Sequence, residues 1–381
     1  MDGKRRGFLL VLVGILFVFI YNEYLIYYVT IYTWCSWPII SSRNGKREEE
    51  TKVMMVTDIH LLGPRRGHWF DKLRREWQMY RSFQSAISLM HPHAVFFLGD
   101  LFDESTISNL QGLENYVKRF NELFYVPRDI QVHCIFGNHD IGFHDEVCFN
   151  RINPARLQFL SQHFARSFAD HIVLNGNHFV LLNSMTLERD GCYLCTTTEF
   201  EIEKLSRKLN CTKNGASKCN VNSRPILLLH FPLFRHSDAQ CPDDYDAAVE
   251  PAKSQIFTAG IDCLSNASSH YVLNKLDPRA VFNGHTHHSC RTWWPAPYNM
   301  YEWTLSSFSW RNIVQPAFLL VTITASDIQV NKCFLPSEKI VVGSYAVCIV
   351  SLVIILSWSF MLRFAPYWKS TSSEILTTKF D

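Results

Sequence analysis

The sequence is short of net charge. Its 381 residues carry 37 Lys and Arg against 35 Asp and Glu, a formal +2 at pH 7. The cations are scattered, so no basic stripe exists of the kind that tracks a nucleic-acid backbone, and nucleic acid is excluded as a partner. Internal repeats and low-complexity tracts are absent too, which removes solenoid and linker-like architectures. Long apolar runs occur only near the two ends. The stretch between them, placed at 29–339, is long enough to bury a full core.

The first apolar run, Phe8 to about Tyr28, follows Lys4, Arg5 and Arg6. It lacks the small-residue cleavage site of a signal peptide: Tyr21, Asn22, Glu23 and Tyr24 come after Phe8–Ile20, with more apolar residues beyond. It therefore reads as an uncleaved anchor over 8–28. Glu23 is the awkward residue, either reaching the lumenal boundary from a tilted helix or serving as an intramembrane carboxylate. The second run, Ile340–Leu362, lacks any charge and begins after Pro336, so it reads as a spanning helix over 340–362. The basic residues at 4–6 place segment 1–7 in the cytoplasm. Two spans then return 363–381 to that side and leave 29–339 in the lumen. Beyond Cys35 at its start, that central stretch holds ten cysteines from Cys134 to Cys333, an even number compatible with disulfides in an oxidising lumen. The glycosylation acceptors Asn210-Cys-Thr and Asn266-Ala-Ser lie there as well. Cys192-Tyr-Leu-Cys195 has zinc-ligand spacing but lacks a second pair to complete a tetrahedral site, so it reads as a disulfide or two free thiols.

Short β-rich runs alternate with helix-like stretches: 52–57, then 70–90; 94–98, then 106–125; 131–136. This rhythm predicts βαβ units feeding a parallel sheet. Further strands are expected at 179–183, 225–229, 280–282, 317–324 and 328–334, and an α/β sandwich of two sheets accommodates all of them. The segment 186–222, rich in Cys, Thr, Asn and Lys, reads as a disulfide-pinned insertion.

Open α/β sheets place their ligands beyond the carboxyl ends of the strands, and polar chemistry gathers there. Asp58-Ile-His60 follows the first strand, Gly99-Asp100-Leu-Phe-Asp103 the second and Gly137-Asn138-His139-Asp140 the third. His230 ends the run Ile226–Leu229, and Gly284-His285-Thr286-His287 follows the next strand. Glycine precedes three of these groups and lets backbone pass close to a bound group. Taken singly, a strand-end Asp caps the next helix as readily as it binds a metal, and a buried His often only satisfies a carbonyl. Gly-Asn-His-Asp and Gly-His-Thr-His, however, are each expected only about once in a thousand chains of this length at average residue frequencies. Both occur here in order, each after a strand, which makes coincidence a poor explanation. His68, His91, His93, His144, His163 and His288 fall outside the pattern or merely adjoin it and are read as structural. Asp103 and Asp140 read as carboxylates that orient neighbouring histidines.

These five blocks resemble the signature of the calcineurin-like metallophosphoesterase superfamily, matched in order from Asp58 to His287. The resemblance implies a four-layer α/β/β/α sandwich, here set between two transmembrane helices. It also implies two divalent metal ions. Asp58, His60 and His287 would bind one, Asn138, His230 and His285 the other, and Asp100 would bridge them. His139 would stay off the metals and give a proton to the leaving group of a phosphoric ester attacked in line by a water-derived nucleophile. All seven ligands are oxygen or nitrogen donors, which suits manganese, iron or zinc, and the resemblance favours Mn²⁺. Purple acid phosphatases, a related branch, carry tyrosine three residues after the bridging aspartate. Asp103 stands there instead, which argues against a ferric-tyrosinate site.

The two-span layout and Leu228-Leu229-His230-Phe231-Pro232-Leu233 resemble the branch of this superfamily that acts on glycosylphosphatidylinositol (GPI) anchors. That resemblance implies a phosphodiesterase removing an ethanolamine-phosphate branch from an anchor mannose. GPI-anchored proteins would be its substrates, in membranes of the early secretory pathway. Two alternatives stay open: another phosphodiester, such as a lipid head group or nucleotide, and a non-catalytic receptor for GPI-anchored cargo. Trp293, Trp294, Trp303 and Trp310 suit either sugar stacking, the membrane surface or core packing.

Overall fold

The computed structural model describes residues 3–41, 48–149, 154–164, 167–213 and 224–377. The chain divides into two compact units, 28–335 and the paired end segments 1–27 and 336–381.

Unit 28–335 is built on strands that are apolar on both faces. β1 (Thr51–Val56) and β2 (Ala94–Leu98) read as continuous apolar runs, as expected of strands covered from both sides. Side chains alternate across the pleat. Val53, Met55, Phe96 and Leu98 enter one core cluster, while Met54, Val56, Val95 and Phe97 enter the other with Met79, Phe83 and Phe120. Phe97 is fully buried, with ring centroids 5.0 Å from Phe120, 5.2 Å from Phe124 and 5.9 Å from Phe83. Those partners come from helices Trp69–Met90 and Leu110–Leu123 and from the residue that ends the second one.

β1 and β2 run parallel to each other and to β3 (Gln131–Ile135). The second sheet contains β4 (Ala169–Leu174), β5 (Asn177–Leu182), β6 (Ile226–Leu228), β7 (Ala280–Asn283), β8 (Cys290–Trp294) and β9 (Met300–Thr304). The chain then returns to the first sheet as β10 (Ala317–Ile323) and β11 (Ile328–Phe334), which pair antiparallel. The sheet orders are β11-β10-β1-β2-β3 and β4-β5-β6-β7-β9-β8. Phe179, Leu181, Ile226, Leu228, Ala280 and Phe282 of the second sheet meet the inward residues of the first. Helices Tyr193–Lys213 and Asn266–Leu276 pack together on the second sheet's side. The expected α/β/β/α layering is present.

β4, β8 and β9 were not legible in the sequence. β4 and β8 are half exposed and carry Asp, His, Arg and Thr among their apolar residues, which dilutes the strand pattern. The tryptophans belong to this region: Trp303 stacks on Phe282 at 5.0 Å, Trp293 packs edge-on against Tyr301 at 4.7 Å, and the Trp294 indole donates to Glu302 at 2.7 Å. Trp310 is buried. Segment 186–222 is pinned by a disulfide as expected, Cys192 being bonded to Cys148. Most of it is the helix Tyr193–Lys213, while 214–222 lie outside the described residues. Cys148–Cys192 and Cys241–Cys290 form disulfides, whereas Cys134, Cys195, Cys263 and Cys333 are buried thiols, so the even count overstated the pairing. The side chains of Cys211 and Cys219 lie outside the described residues.

The helical segments Arg5–Trp34, which lies in the end unit as far as Tyr27, and Glu338–Met361 have mean hydropathies of 2.3 and 2.6 and are long and apolar enough to cross a membrane. The first loosens to a π-helical turn over Tyr21–Leu25. There the Asn22 amide donates to Ser344 Oγ at 2.6 Å, and the Tyr345 hydroxyl donates to Glu23. Glu23 is thus met by the second helix, a pairing that neither sequence reading had foreseen.

Phe97→Ala removes a fully enclosed ring, and we expect a loss of about 3–5 kcal/mol in unfolding free energy, measurable by denaturant titration of the protein in detergent.

Candidate metal centre

Each sequence-predicted ligand lies at or just beyond a strand end, and together they occupy one place. Asp58 and His60 follow β1, Asp100 follows β2, and Asn138 opens the turn after β3. His230 follows β6, and His285 and His287 follow β7. Five of the seven, Asp58, His60, Asp100, His285 and His287, have φ between 44° and 74°. Left-handed backbone is costly for residues with a Cβ and clusters where function demands it.

Asp100 organises the group. Its Oδ2 lies 3.4 Å from His60 Nε2 and its Oδ1 lies 3.3 Å from His230 Nε2. On the first side, His287 Nε2 is 3.1 Å from His60 Nε2 and 3.7 Å from Asp58 Oδ1. On the second, His230 Nε2 is 3.2 Å from Asn138 Oδ1. Asp58, His60, Asp100 and His287 therefore converge as one set, and Asp100, His230 and His285 as another.

The tautomers are arranged for ligation. His230 Nδ1–H donates to the Leu98 carbonyl at 2.8 Å, which leaves Nε2 facing the site. His285 Nε2–H donates to the Ile261 carbonyl at 2.7 Å, and its buried Nδ1 has no hydrogen-bond partner. Asp58 Oδ1 is likewise buried without one, while Oδ2 accepts from Thr57 Oγ1 and the His285 N–H. Buried lone pairs left facing one another are costly unless a cation takes them. The donor set and these orphaned atoms fit two divalent ions.

The electrostatics agree. Burial alone would raise the Asp58 and Asp100 carboxyls, but the imidazoles of His60 and His287 about the first, and of His230 and His60 about the second, hold both below the ordinary range. His60 is pushed up to about 10 against its burial by Asp103 and Asp58. His230 is pushed up to about 9, again against burial, by Asp100. Burial followed by the His230 charge takes His285 down to about 3, and burial with the His60 charge takes His287 down to about 4.

His139 stands beside this group, its ring 4.7 Å from that of His60 and 30% exposed. Its backbone N–H donates to Asp100 Oδ1 at 2.9 Å, and Nδ1–H donates to the Asp103 carbonyl at 3.1 Å. Asp103 Oδ1 lies 3.3 Å from His60 Nδ1 and 3.7 Å from His139 Nδ1, so it faces histidines as expected. Asp140 does not. Its oxygens accept the backbone N–H groups of Phe102 and Gly137, tying the turn after β2 to the turn after β3. Arg311 was missed by the sequence reading. Its Nη2 is 3.5 Å from Asp103 Oδ1 and its side chain is 33% exposed. The signal available was the polar run Ser306–Asn312 after β9, whose Ser307 hydroxyl donates to the Asp58 carbonyl at 2.7 Å. Among the histidines read as structural, His68 accepts from the Phe70 N–H at a helix start, and His93 accepts from the Lys52 N–H. His91 ends its helix in left-handed backbone. His163 and His288 each donate to a nearby carbonyl.

Residues 51–289 match the family model described as Calcineurin-like phosphoesterase. The chain is 40% identical over 366 residues to Metallophosphoesterase 1 of Rattus norvegicus, covering 93% of this chain and 90% of that one. Against Metallophosphoesterase 1 of Xenopus laevis it is also 40% identical over 366 residues, covering 92% and 88%. Among solved structures it is similar to the purple acid phosphatase PPD1 from yellow lupin (Lupinus luteus) seeds, with 12% identity, a TM-score of 0.49 and coverage of 76% of this chain and 53% of that one.

Two outcomes follow from the geometry. A Cβ on Gly137 would lie 2.1 Å from Asp100 Oδ1 and 2.5 Å from the Asp100 backbone nitrogen, so Gly137→Ala should lower metal affinity by about 10–100-fold, read as metal content after dialysis. Metal must also displace protons from His60 and His230, both raised above 6.5. Affinity for Mn²⁺ should therefore rise with pH from 6 toward 9 and level off above about 10, with about two protons released per chain at pH 7. Calorimetry in buffers of different ionisation enthalpy counts them.

Proposed function

We infer the reaction from the chain's family and from one carboxylate: the chain belongs to the calcineurin-like phosphoesterases, and Asp100 turns one oxygen to each of two ligand sets. It is a metal-dependent hydrolase of phosphoric esters. In our reading Asp58, His60, Asp100 and His287 hold one Mn²⁺, and Asp100, Asn138, His230 and His285 hold the second. The bound ions supply positive charge to the phosphoryl oxygens and a water acidic enough to ionise near neutral pH.

The chain's own residues do the rest. The His139 Nδ1–H donates to the Asp103 carbonyl and so fixes the ring with Nε2 turned away from it; in the imidazolium form Nε2 holds the proton that can pass to the departing alkoxide. The Asp100 carboxylate fixes the His139 backbone through its N–H. Asp103 also faces Arg311, whose part-exposed guanidinium offers an anionic ester charge-assisted hydrogen bonds at the edge of the site.

We propose that the ester is the ethanolamine-phosphate branch on a mannose of a GPI anchor, and that GPI-anchored proteins are the substrates. The reading is supported by the shared length and identity with proteins named Metallophosphoesterase 1 and by the apolar helices at both ends of the chain. A catalytic domain at 29–339, tethered on both sides to the lumenal leaflet by spans at 8–28 and 340–362, would meet a lipid-anchored substrate at raised effective concentration. The corresponding location is the early secretory pathway, from ER exit sites to the cis-Golgi.

The test uses metal-free full-length protein in detergent, Mn²⁺ added back, and mass spectrometry of a GPI glycan bearing ethanolamine-phosphate. Loss of one ethanolamine-phosphate by the wild type and none by Asp100→Asn is expected. His139→Ala should keep both metals and lose about 10²–10⁴-fold in turnover. Cleavage of a generic phosphodiester with the glycan left intact would keep the chemistry and discard the GPI substrate.

A further inference from the structure

Cys192-Tyr-Leu-Cys195 takes no part in the metal centre, and the partners that the sequence reading could not find are supplied from a distant segment. Cys192 is bonded to Cys148, at the end of the short helix His144–Cys148. Cys195 keeps a fully buried thiol. Its sulfur lies within 4.8 Å of both sulfurs of that disulfide, so a disulfide and a third thiol share one cluster.

His144 sits against two of these sulfurs. Its Nδ1 is 3.5 Å from Cys148 Sγ and 3.9 Å from Cys195 Sγ, and also 3.0 Å from the Met185 carbonyl. Its Nε2 is 2.8 Å from Asp190 Oδ2. Both ring nitrogens thus face acceptors, an arrangement that favours the imidazolium and sets that cation against the Cys195 sulfur. The Cys195 contact, opposed by burial and joined by Asp190 and Met185, pushes His144 up to about 10. Cys192 lies immediately before the 21-residue helix Tyr193–Lys213, and its carbonyl accepts the Thr196 N–H at 2.9 Å. A helix start favours negative charge, which makes a sulfur at that position a better leaving group than one at a helix end.

We propose that Cys148, Cys192, Cys195, His144 and Asp190 form a thiol–disulfide exchange site in which Cys195 attacks Cys148 and the bond moves from Cys148–Cys192 to Cys148–Cys195. The step balances within the chain. The Cys195 thiolate, paired with the His144 imidazolium, forms a bond to Cys148 Sγ; the Cys148–Cys192 bond breaks; and Cys192 leaves as the thiolate. No electrons enter or leave. The exchanged form replaces a buried thiol by the half-buried Cys192, which sits beside the exposed Asp190. A small disulfide of the glutathione class is the partner this position suits: the Cys192 thiolate attacks it, forms a mixed disulfide and releases one glutathione thiolate.

The test uses the full-length protein in detergent, acid quenching, alkylation with N-ethylmaleimide and peptide mapping. Cys192→Ser should carry a Cys148–Cys195 bond, with retention of metal at the other site confirming that the variant is folded. Wild type incubated with oxidised glutathione should gain one glutathione on Cys192, and Cys195→Ser should gain none. His144→Gln should slow that gain by about tenfold or more. The proposal fails if Cys148 and Cys195 are both alkylated in folded Cys192→Ser, if wild type and Cys195→Ser gain glutathione equally, or if a Cys192–Cys195 bond forms instead. A zinc ion held by reduced wild type and lost in Cys195→Ser, with no migrated bond, would overturn it in favour of a metal site.

Discussion

The site rests on a buried carboxylate that cannot satisfy itself within the protein. Asp100 is 1% exposed at the end of β2, with one oxygen before His60 and the other before His230. In a medium where charges are weakly screened, so many facing lone pairs and protons demand either bound protons or bound cations. The rest of the arrangement brings six further donors to that one residue from four other turns. Left-handed backbone at five of the seven ligands, at roughly 1–3 kcal/mol each, is the local expense of aiming them. The strands at the middle of the two sheets, buried on both faces, are the frame that holds it.

Steric closeness does as much as charge. The turn at Gly137 runs directly against Asp100, and Gly284 runs against Thr57 and Asp58, so each ligand is held by backbone that no other residue type would let approach. The same economy explains why the metal-binding residues sit in short turns, while Arg311 and His139 stand at the edge around the buried Asp103, where part of each side chain remains open to solvent.

Much of this was legible in the sequence because the strands that carry the ligands are apolar on both faces, and the residues that follow them are rare combinations. Ala94–Leu98 followed by Gly99-Asp100, and Ala280–Asn283 followed by Gly284-His285, announce themselves locally. Hidden features depend on partners distant in sequence. Glu23 finds Tyr345 across 322 residues, and Cys148 finds Cys192 across 44. Asp140 looks like another site carboxylate until its two backbone donors are seen. Half-exposed β4 and β8 dilute their apolar pattern with charge, and the polar composition of 193–213 masked a helix whose apolar side packs inward.

The clamp made by Asp140 bears on how the enzyme acquires its ions. Because the turns after β2 and β3 are joined through backbone N–H groups, and Asp58 is held by Thr57 and the His285 N–H, the ligands keep their places through bonds that involve no cation. The cavity is therefore a template built before loading. An all-oxygen-and-nitrogen donor set of this kind accepts several first-row metals. Donor chemistry of this kind leaves the choice among those metals to the size and rigidity of the preset cavity, which the hydrogen-bonded turns fix.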